Sequence, residues 1–261
     1  MHILVTNDDG PPSDHSSPYV QPLVSTLESH GHQVSVILPS TQRSWIGKAH
    51  IITDIHHTTA FDPRNPDLLP HLATTSSPAY PDPRTTTWTL VNGTPASCIQ
   101  LGLNNQKSGT TPIDLVLSGP NFGKNTTAVF ALSSGTIAAA MEAALCGKRA
   151  IAVSFAHTED GTYDVAEACE HAVRLAEHLY RTWDEDVHVY SVNVPLDGRK
   201  RGEGWKRKKR RVLWTQVQQN GWGSVTPLRA NFMHVSHVGE SWTSERWAGM
   251  DELSYNIKCQ Y

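Results

Sequence analysis

No stretch of this chain approaches the roughly 20 consecutive apolar residues that a bilayer-spanning helix requires, so no membrane partner is expected. The amino terminus runs directly into an apolar strand pattern, without the basic and apolar regions of a signal peptide. The expected compartment is the cytoplasm. Cysteine is scarce: Cys98, Cys146, Cys169 and Cys259 are far apart with no C-x-x-C spacing, which argues against a disulfide framework or a zinc knuckle. A large charge excess is missing too. The net charge of −3 does not describe a polyanion binder, and nucleic acid is not an expected partner. The basic run at 199–211 has no accompanying recognition motif and reads as a solvated loop. Histidine is plentiful, but His56, His57, His234 and His237 lack carboxylate or cysteine partners at metal-site spacing.

What is present is an alternation of apolar strands and amphipathic helices. The 261 residues suffice for one large α/β domain, or a domain with an extension. Strands are expected at 2–6, 33–38, 113–117, 150–155 and 187–194, with helices at 19–30, 96–103, 135–146 and 165–181. The opening strand, helix, strand unit predicts a mostly parallel sheet with right-handed crossovers. The expected fold is therefore a Rossmann-like three-layer αβα sandwich. Residues 53–87 are rich in Pro, Thr, Ser, Asp and His without periodicity and read as a surface loop insertion. Beyond residue 195 the rhythm stops, which sets a core at 1–195 and a C-terminal extension at 196–261 with strands near 211–217 and 223–228.

Asp8 and Asp9 stand side by side where the first strand ends and Gly10 turns the chain. In open α/β sheets ligands bind outside the carboxyl ends of the strands, and paired carboxylates there suit a hard cation such as Mg²⁺, Mn²⁺ or Ca²⁺. A turn cap with a solvated neighbour explains the pair equally well. Ser44 and Asn121 follow the second and third core strands and are candidate oxygen ligands, although each also fits an ordinary turn role. The segment 134–142 runs from a small-residue turn into a good helix. Its free amides, with the Ser134 and Thr136 hydroxyls, would suit an anion; Ser134 as a plain N-cap is the alternative. Thr94 before Pro95 explains itself as a helix start.

Five motifs in order carry a resemblance: Thr-Asn-Asp-Asp-Gly at 6–10, Gln-Arg-Ser at 42–44, Gly-Thr-Pro at 93–95, Ser-Gly-Pro-Asn-x-Gly-x-Asn at 118–125, and Ser-Gly-Thr-x-Ala-Ala-Ala-Met-Glu at 134–142. With Asn-Val-Pro at 193–195 and Ser-Val-Thr-Pro-Leu at 224–228, the chain resembles the SurE family of nucleotidases and phosphatases. The resemblance implies a divalent-metal-dependent phosphomonoesterase acting on nucleoside monophosphates through a metal-activated water. It implies one metal per subunit held by Asp8, Asp9, Ser44 and Asn121, with Asp8 or Asp9 also taking the proton. Asn125, Ser134, Gly135 and Thr136 would hold the phosphate. A small phosphoester substrate and a homodimer or homotetramer, joined through an exchanged C-terminal extension, are likewise implied.

The chain departs from the usual pattern at Pro120, where isoleucine is common, at Ser133, often aromatic, and at Trp45, usually glycine. None of these removes a ligand. Two rival readings differ in chemistry. A haloacid-dehalogenase-like phosphatase would form an aspartyl-phosphate, but it wants Asp-x-Asp, and Pro11 follows Asp8-Asp9-Gly10. A nucleotide- or phosphate-binding protein without turnover would keep the pocket and lack the reaction.

Overall fold

The computed structural model describes residues 1–51, 56–64, 87–104, 111–157, 164–196 and 223–230. At its centre lies β1 (His2–Thr6), buried along its whole length. Ile3 and Val5 point into one apolar cluster and Leu4 into another, because successive strand side chains alternate faces. A strand covered on both sides must be apolar throughout, as this one nearly is.

The chain leaves β1 through α1 (Val20–Ser29), whose Val20, Leu23, Val24 and Leu27 form the buried stripe. Gly31, at φ +78°, turns the chain into β2 (Gln33–Pro39). An edge hairpin, β3 (Thr58–Phe61) with β4 (Trp88–Val91), precedes α2 (Pro95–Asn104). Next come β5 (Leu115–Phe122), the short α3 (Ala128–Ser133), α4 (Gly135–Leu145) and β6 (Arg149–Ala156). α5 (Val165–Arg181), β7 (Val189–Pro195) and β8 (Ser224–Leu228) complete the described elements.

The eight strands form one sheet in the order β3-β4-β2-β1-β5-β6-β7-β8. Neighbours pair in parallel except at the two edges, where β3 and β8 run antiparallel to β4 and β7. Residues of α1 and α5 join the apolar cluster on one face, and those of α2 and α4 the cluster on the other. The sandwich is thus three layers deep, as expected. Because the chain builds outward from β1 in both directions, the carboxyl ends of β1 and β5 flank a switch point, the place where such sheets open a crevice.

Three local expectations change. β5 does not stop at 117: it continues to Phe122 through a register shift between Ser118 and Asn121. Gly119, at φ +123°, has only 2.2 Å between a would-be Cβ and the Val153 carbonyl oxygen, so no side chain fits there. The stretch 53–87 is not all loop, since β3 lies inside it; residues 53–55 and 65–86 are outside the described set. α3 was not foreseen, because its Val129 and Leu132 are exposed and leave no amphipathic signal. The strand expected near 211–217, the basic run at 199–211 and the tail from 231 lie outside the described residues. Cys98, Cys146 and Cys169 are free thiols, and among the described residues no helix is long and apolar enough to cross a membrane.

A polar clasp joins the end of α1 to α5. His30 Nε2 lies 3.0 Å from Glu170 and its Nδ1 3.2 Å from Glu177, while His32 Nε2 lies 2.9 Å from Glu177. The hydrogen bond to Glu170 raises the His30 pKa above its ordinary 6.5, and the reverse contact lowers that of Glu170 below its ordinary 4.5. Stabilisation from His30 is full below pH 6.5 and is lost as pH rises through its raised value. That from Glu170 is present above pH 4.5 and is lost as pH falls through its lowered value. The clasp is therefore strongest between these limits. His30→Gln should lower Tm by about 1–3 °C near pH 5.5, the scale of a partly exposed ion pair. The deficit should shrink toward pH 8 in calorimetry; one that grows with pH refutes this assignment.

Candidate active site

The turn after β1 is built before any ligand is considered. Asn7 clasps it, donating from Nδ2 to the Gly10 carbonyl (2.8 Å) and to Ser17 Oγ (3.0 Å), and accepting the Gly10 amide at Oδ1 (3.0 Å). Gly10, at φ +87°, lies so close to the 41–42 backbone that a Cβ would stand 3.2 Å from the Thr41 carbonyl carbon. This clasp turns Asp8 and Asp9 inward, and each is only 2% exposed.

Asp8 is gripped by the start of α4. Thr136 Oγ1 donates to Asp8 Oδ1 at 2.6 Å, and the Gly135 and Thr136 amides donate to the same carboxylate. The approach is close because residue 135 lacks a side chain: a Cβ there would sit 2.6 Å from Asp8 Cβ. Asp9 accepts the Phe122 amide at Oδ2 (2.7 Å) from the end of β5, and also the Gln42 side chain. The Arg43 amide donates to the Asp8 carbonyl at 2.6 Å. Four segments, following β1, following β2, ending β5 and beginning α4, thus meet at the acid pair.

Burial raises the Asp8 pKa despite its hydrogen bonds. Asp9 is pushed up to about 8, by burial first and then by the adjacent Asp8 charge. Two neighbouring carboxylates in a low-dielectric place resist ionising together unless a positive charge joins them. Among the described residues no lysine, arginine or histidine side chain forms an ion pair with either acid. A divalent ion would supply that charge and hold both in the ionised form. The donors suit a hard ion. Asn121 donates its Nδ2 to the Gly123 carbonyl at 2.8 Å, which leaves Oδ1 as the atom with which it would meet a cation. Among the described residues no group of three or more His, Cys, Asp and Glu gathers into a metal site, and oxygen-rich ligation of the Mg²⁺, Mn²⁺ or Ca²⁺ type fits best.

The other candidates are placed as follows. Ser44 lies exposed on the next turn, brought near through Arg43, and no hydrogen bond joins its hydroxyl to the acids. Ser134 is buried and caps α4, its Oγ accepting the Ile137 amide at 3.1 Å. Asn125 spans two strand ends: its amide donates to Asn193 Oδ1 (2.9 Å) and its Nδ2 to Ser154 Oγ (2.9 Å). Each of the four phosphate candidates therefore has a protein partner. Reading the sequence missed Asn7, Gln42, Ser154 and the Phe122 amide. Asn7 adjoins the acids and could have been found as an Asx clasp; a backbone donor carries no residue-type signal.

A family model described as "Survival protein SurE" matches residues 3–224. A Clostridium kluyveri protein named 5'-nucleotidase SurE is 35% identical over 209 residues, which cover 79% of this chain and 74% of the relative. An Anaeromyxobacter protein of the same name is 35% identical over 217 residues, covering 83% and 72%. A Saccharomyces cerevisiae protein named probable tubulin–tyrosine ligase PBY1 is 31% identical over 293 positions. That match takes in 98% of this chain and 37% of the yeast protein, so this chain spans little over a third of that relative's length. The crystal structure of a SurE protein from Aquifex aeolicus shares the fold at a TM-score of 0.62 and 23% identity, over 89% of this chain and 95% of that one. With a family model matched over residues 3–224 and relatives 35% identical over most of their length, the chain belongs to the SurE family.

Proposed function

We propose that this chain is a divalent-metal-dependent phosphomonoesterase that hydrolyses nucleoside monophosphates or related small phosphoesters. The observation that carries the reading is the buried pair Asp8 and Asp9, adjacent, inward-facing and, among the described residues, without an ion-paired cationic side chain, at the carboxyl end of the central strand. The metal would be held by Asp8, Asp9 and Asn121, with Ser44 completing the protein ligands, one ion per subunit. When bound, such an ion polarises a phosphate oxygen and lowers the pKa of a coordinated water.

The chain's own groups do the positioning. Thr136 and the first amides of α4 fix Asp8, while the Phe122 amide fixes Asp9, so neither carboxylate must reorganise to meet a cation. Either acid could take the water's proton. We assign the phosphate to Asn125, Ser134, Gly135 and Thr136, at the positive end of the α4 dipole. An anion arriving there competes with Asp8 for the same amides. The aspartyl-phosphate route is not favoured: both acids are tied by donors from elsewhere in the fold, and the second stands next to the first, not two residues on. We further propose a homodimer or homotetramer that uses residues 196–261, and a cytoplasmic setting in keeping with the free thiols.

Purified protein should hydrolyse nucleoside monophosphates with Mg²⁺ or Mn²⁺ and stop on chelation. Asp9→Ala should cut turnover by at least ~100-fold and weaken Mn²⁺ binding in calorimetry. Normal activity of this variant in chelator would sink the metal reading, and trapping of a phosphoenzyme would favour the aspartyl-phosphate route.

Gly135→Ala isolates the close approach. Its methyl meets Asp8 Cβ, so Mn²⁺ affinity should fall by about 10-fold or more. Melting should change by only a few degrees, since alanine favours the helix by roughly 0.5–1 kcal/mol. Wild-type affinity in this variant would show that the contact is dispensable.

A further inference from the structure

Among the described residues, five large apolar side chains are markedly exposed, and three of them, Trp45, Val129 and Leu132, lie on two joined segments, the loop after β2 and α3. Trp45 is 65% exposed, Val129 65% and Leu132 58%. Trp45 adopts φ +64°, a left-handed conformation that disfavours a bulky residue. Its ring touches Phe130 edge-on, with centroids 5.6 Å apart and planes at 82°. A strained backbone holding a large apolar ring in solvent gains little from burial, which points to a role met when something else arrives.

Both segments connect to the site. Trp45 lies two residues beyond Arg43, whose amide holds Asp8, a span of at most about 7 Å. The loop is tied across by the Gly47 amide, which donates to the Ser133 carbonyl at 2.9 Å. Ser133 ends α3, and the next residue caps α4, the helix that grips Asp8. The second aromatic group near the acids is already occupied with itself: Phe122 stacks on Tyr19 at 5.5 Å and meets His157 at 4.3 Å.

We infer that Trp45, backed by Phe130, is the stacking surface for the planar base of a nucleoside monophosphate whose phosphate lies at the acid pair. The inference rests on the proposed hydrolysis and makes the base, not only the phosphate, a determinant of selection. Stacking on an aromatic face is tolerant of base identity, so purine and pyrimidine nucleotides should both gain from it, unlike an aliphatic phosphoester.

The test compares kcat/KM for AMP and for glycerol 2-phosphate in the Mn²⁺-loaded full chain and in Trp45→Gly. Glycine accepts the left-handed backbone, so this variant should melt at or above the wild-type temperature. Its AMP to glycerol 2-phosphate ratio should fall by about 10-fold or more, mainly through a higher KM for AMP, the order expected for one stacked base. A ratio unchanged in Trp45→Gly overturns the inference. So does a ratio that falls in Phe122→Leu alone, which moves the base to the other aromatic group. A changed sedimentation coefficient with an unchanged ratio gives this surface to a second copy of the chain. If wild type turns over neither compound, the hydrolysis reading fails separately. Calorimetric binding of AMP to wild type and Trp45→Gly then decides the base surface alone, a loss of affinity supporting it and equal affinity overturning it.

Discussion

Two carboxylates, adjacent in sequence and withdrawn from solvent, set the terms for the rest of this molecule. Removing ionised groups from water is costly unless charge and hydrogen bonds replace the lost hydration. The chain supplies the hydrogen bonds: the Thr136 hydroxyl and α4 amides to Asp8, the Phe122 amide and Gln42 to Asp9. It supplies no cationic side chain among the described residues, and both pKa values are raised accordingly. The divalent cation proposed above would supply the charge that these hydrogen bonds leave uncompensated.

The sheet explains why these donors can meet. β1 is flanked by β2 and β5, so the turns at its end have strand ends on both sides. α4 crosses behind them with its amino terminus toward the acids, and residue 135 lets it approach closely. The register shift in β5 matters in the same way. It carries the strand past Gly119 and Pro120, leaving Asn121 and Phe122 paired with Ser154 and Phe155 of β6. A candidate ligand and a backbone donor are thereby held on sheet, not on free loop, and such sites are held more accurately.

Much of this was legible beforehand. β1, α1, β2, α4 and α5 have strong apolar periodicity, and the structure places them within a residue or two of expectation. β3 and β4 were missed because short edge strands with polar neighbours carry little period-2 signal. The true end of β5 was hidden by Gly119 and Pro120, which read as a turn. At the site, Asp8, Asp9 and Asn121 could be proposed from residue type and position. What could not be read is which oxygen each donor serves. Thr136 and Gly135 read from sequence only as anion donors, and in the structure they hold Asp8 while Ser134 caps its own helix, because tertiary approach decides which partner a free amide finds.

The loop after β2 shows how a segment with few buried side chains can still be held in place. Its backbone is tied to Asp8 through Arg43 and to Ser133 through Gly47, and Thr94 Oγ1 donates to the Ala49 carbonyl at 2.7 Å. Farther along, Lys48 pairs with the buried Glu142 of α4, and His50 lies 3.3 Å from the same carboxylate. Burial alone would raise the Glu142 pKa, but the contacts from Lys48, Gln100 and His50 outweigh it and leave the pKa lowered. Glu142 therefore stays ionised and anchors the loop to the helix that also grips Asp8. Loop and Asp8 consequently share one support, α4. A shift at the start of that helix would displace Asp8, and one along its length would displace the segment bearing Ser44 and Trp45. This common support makes the site a single mechanical unit, although its residues come from four separate parts of the sequence.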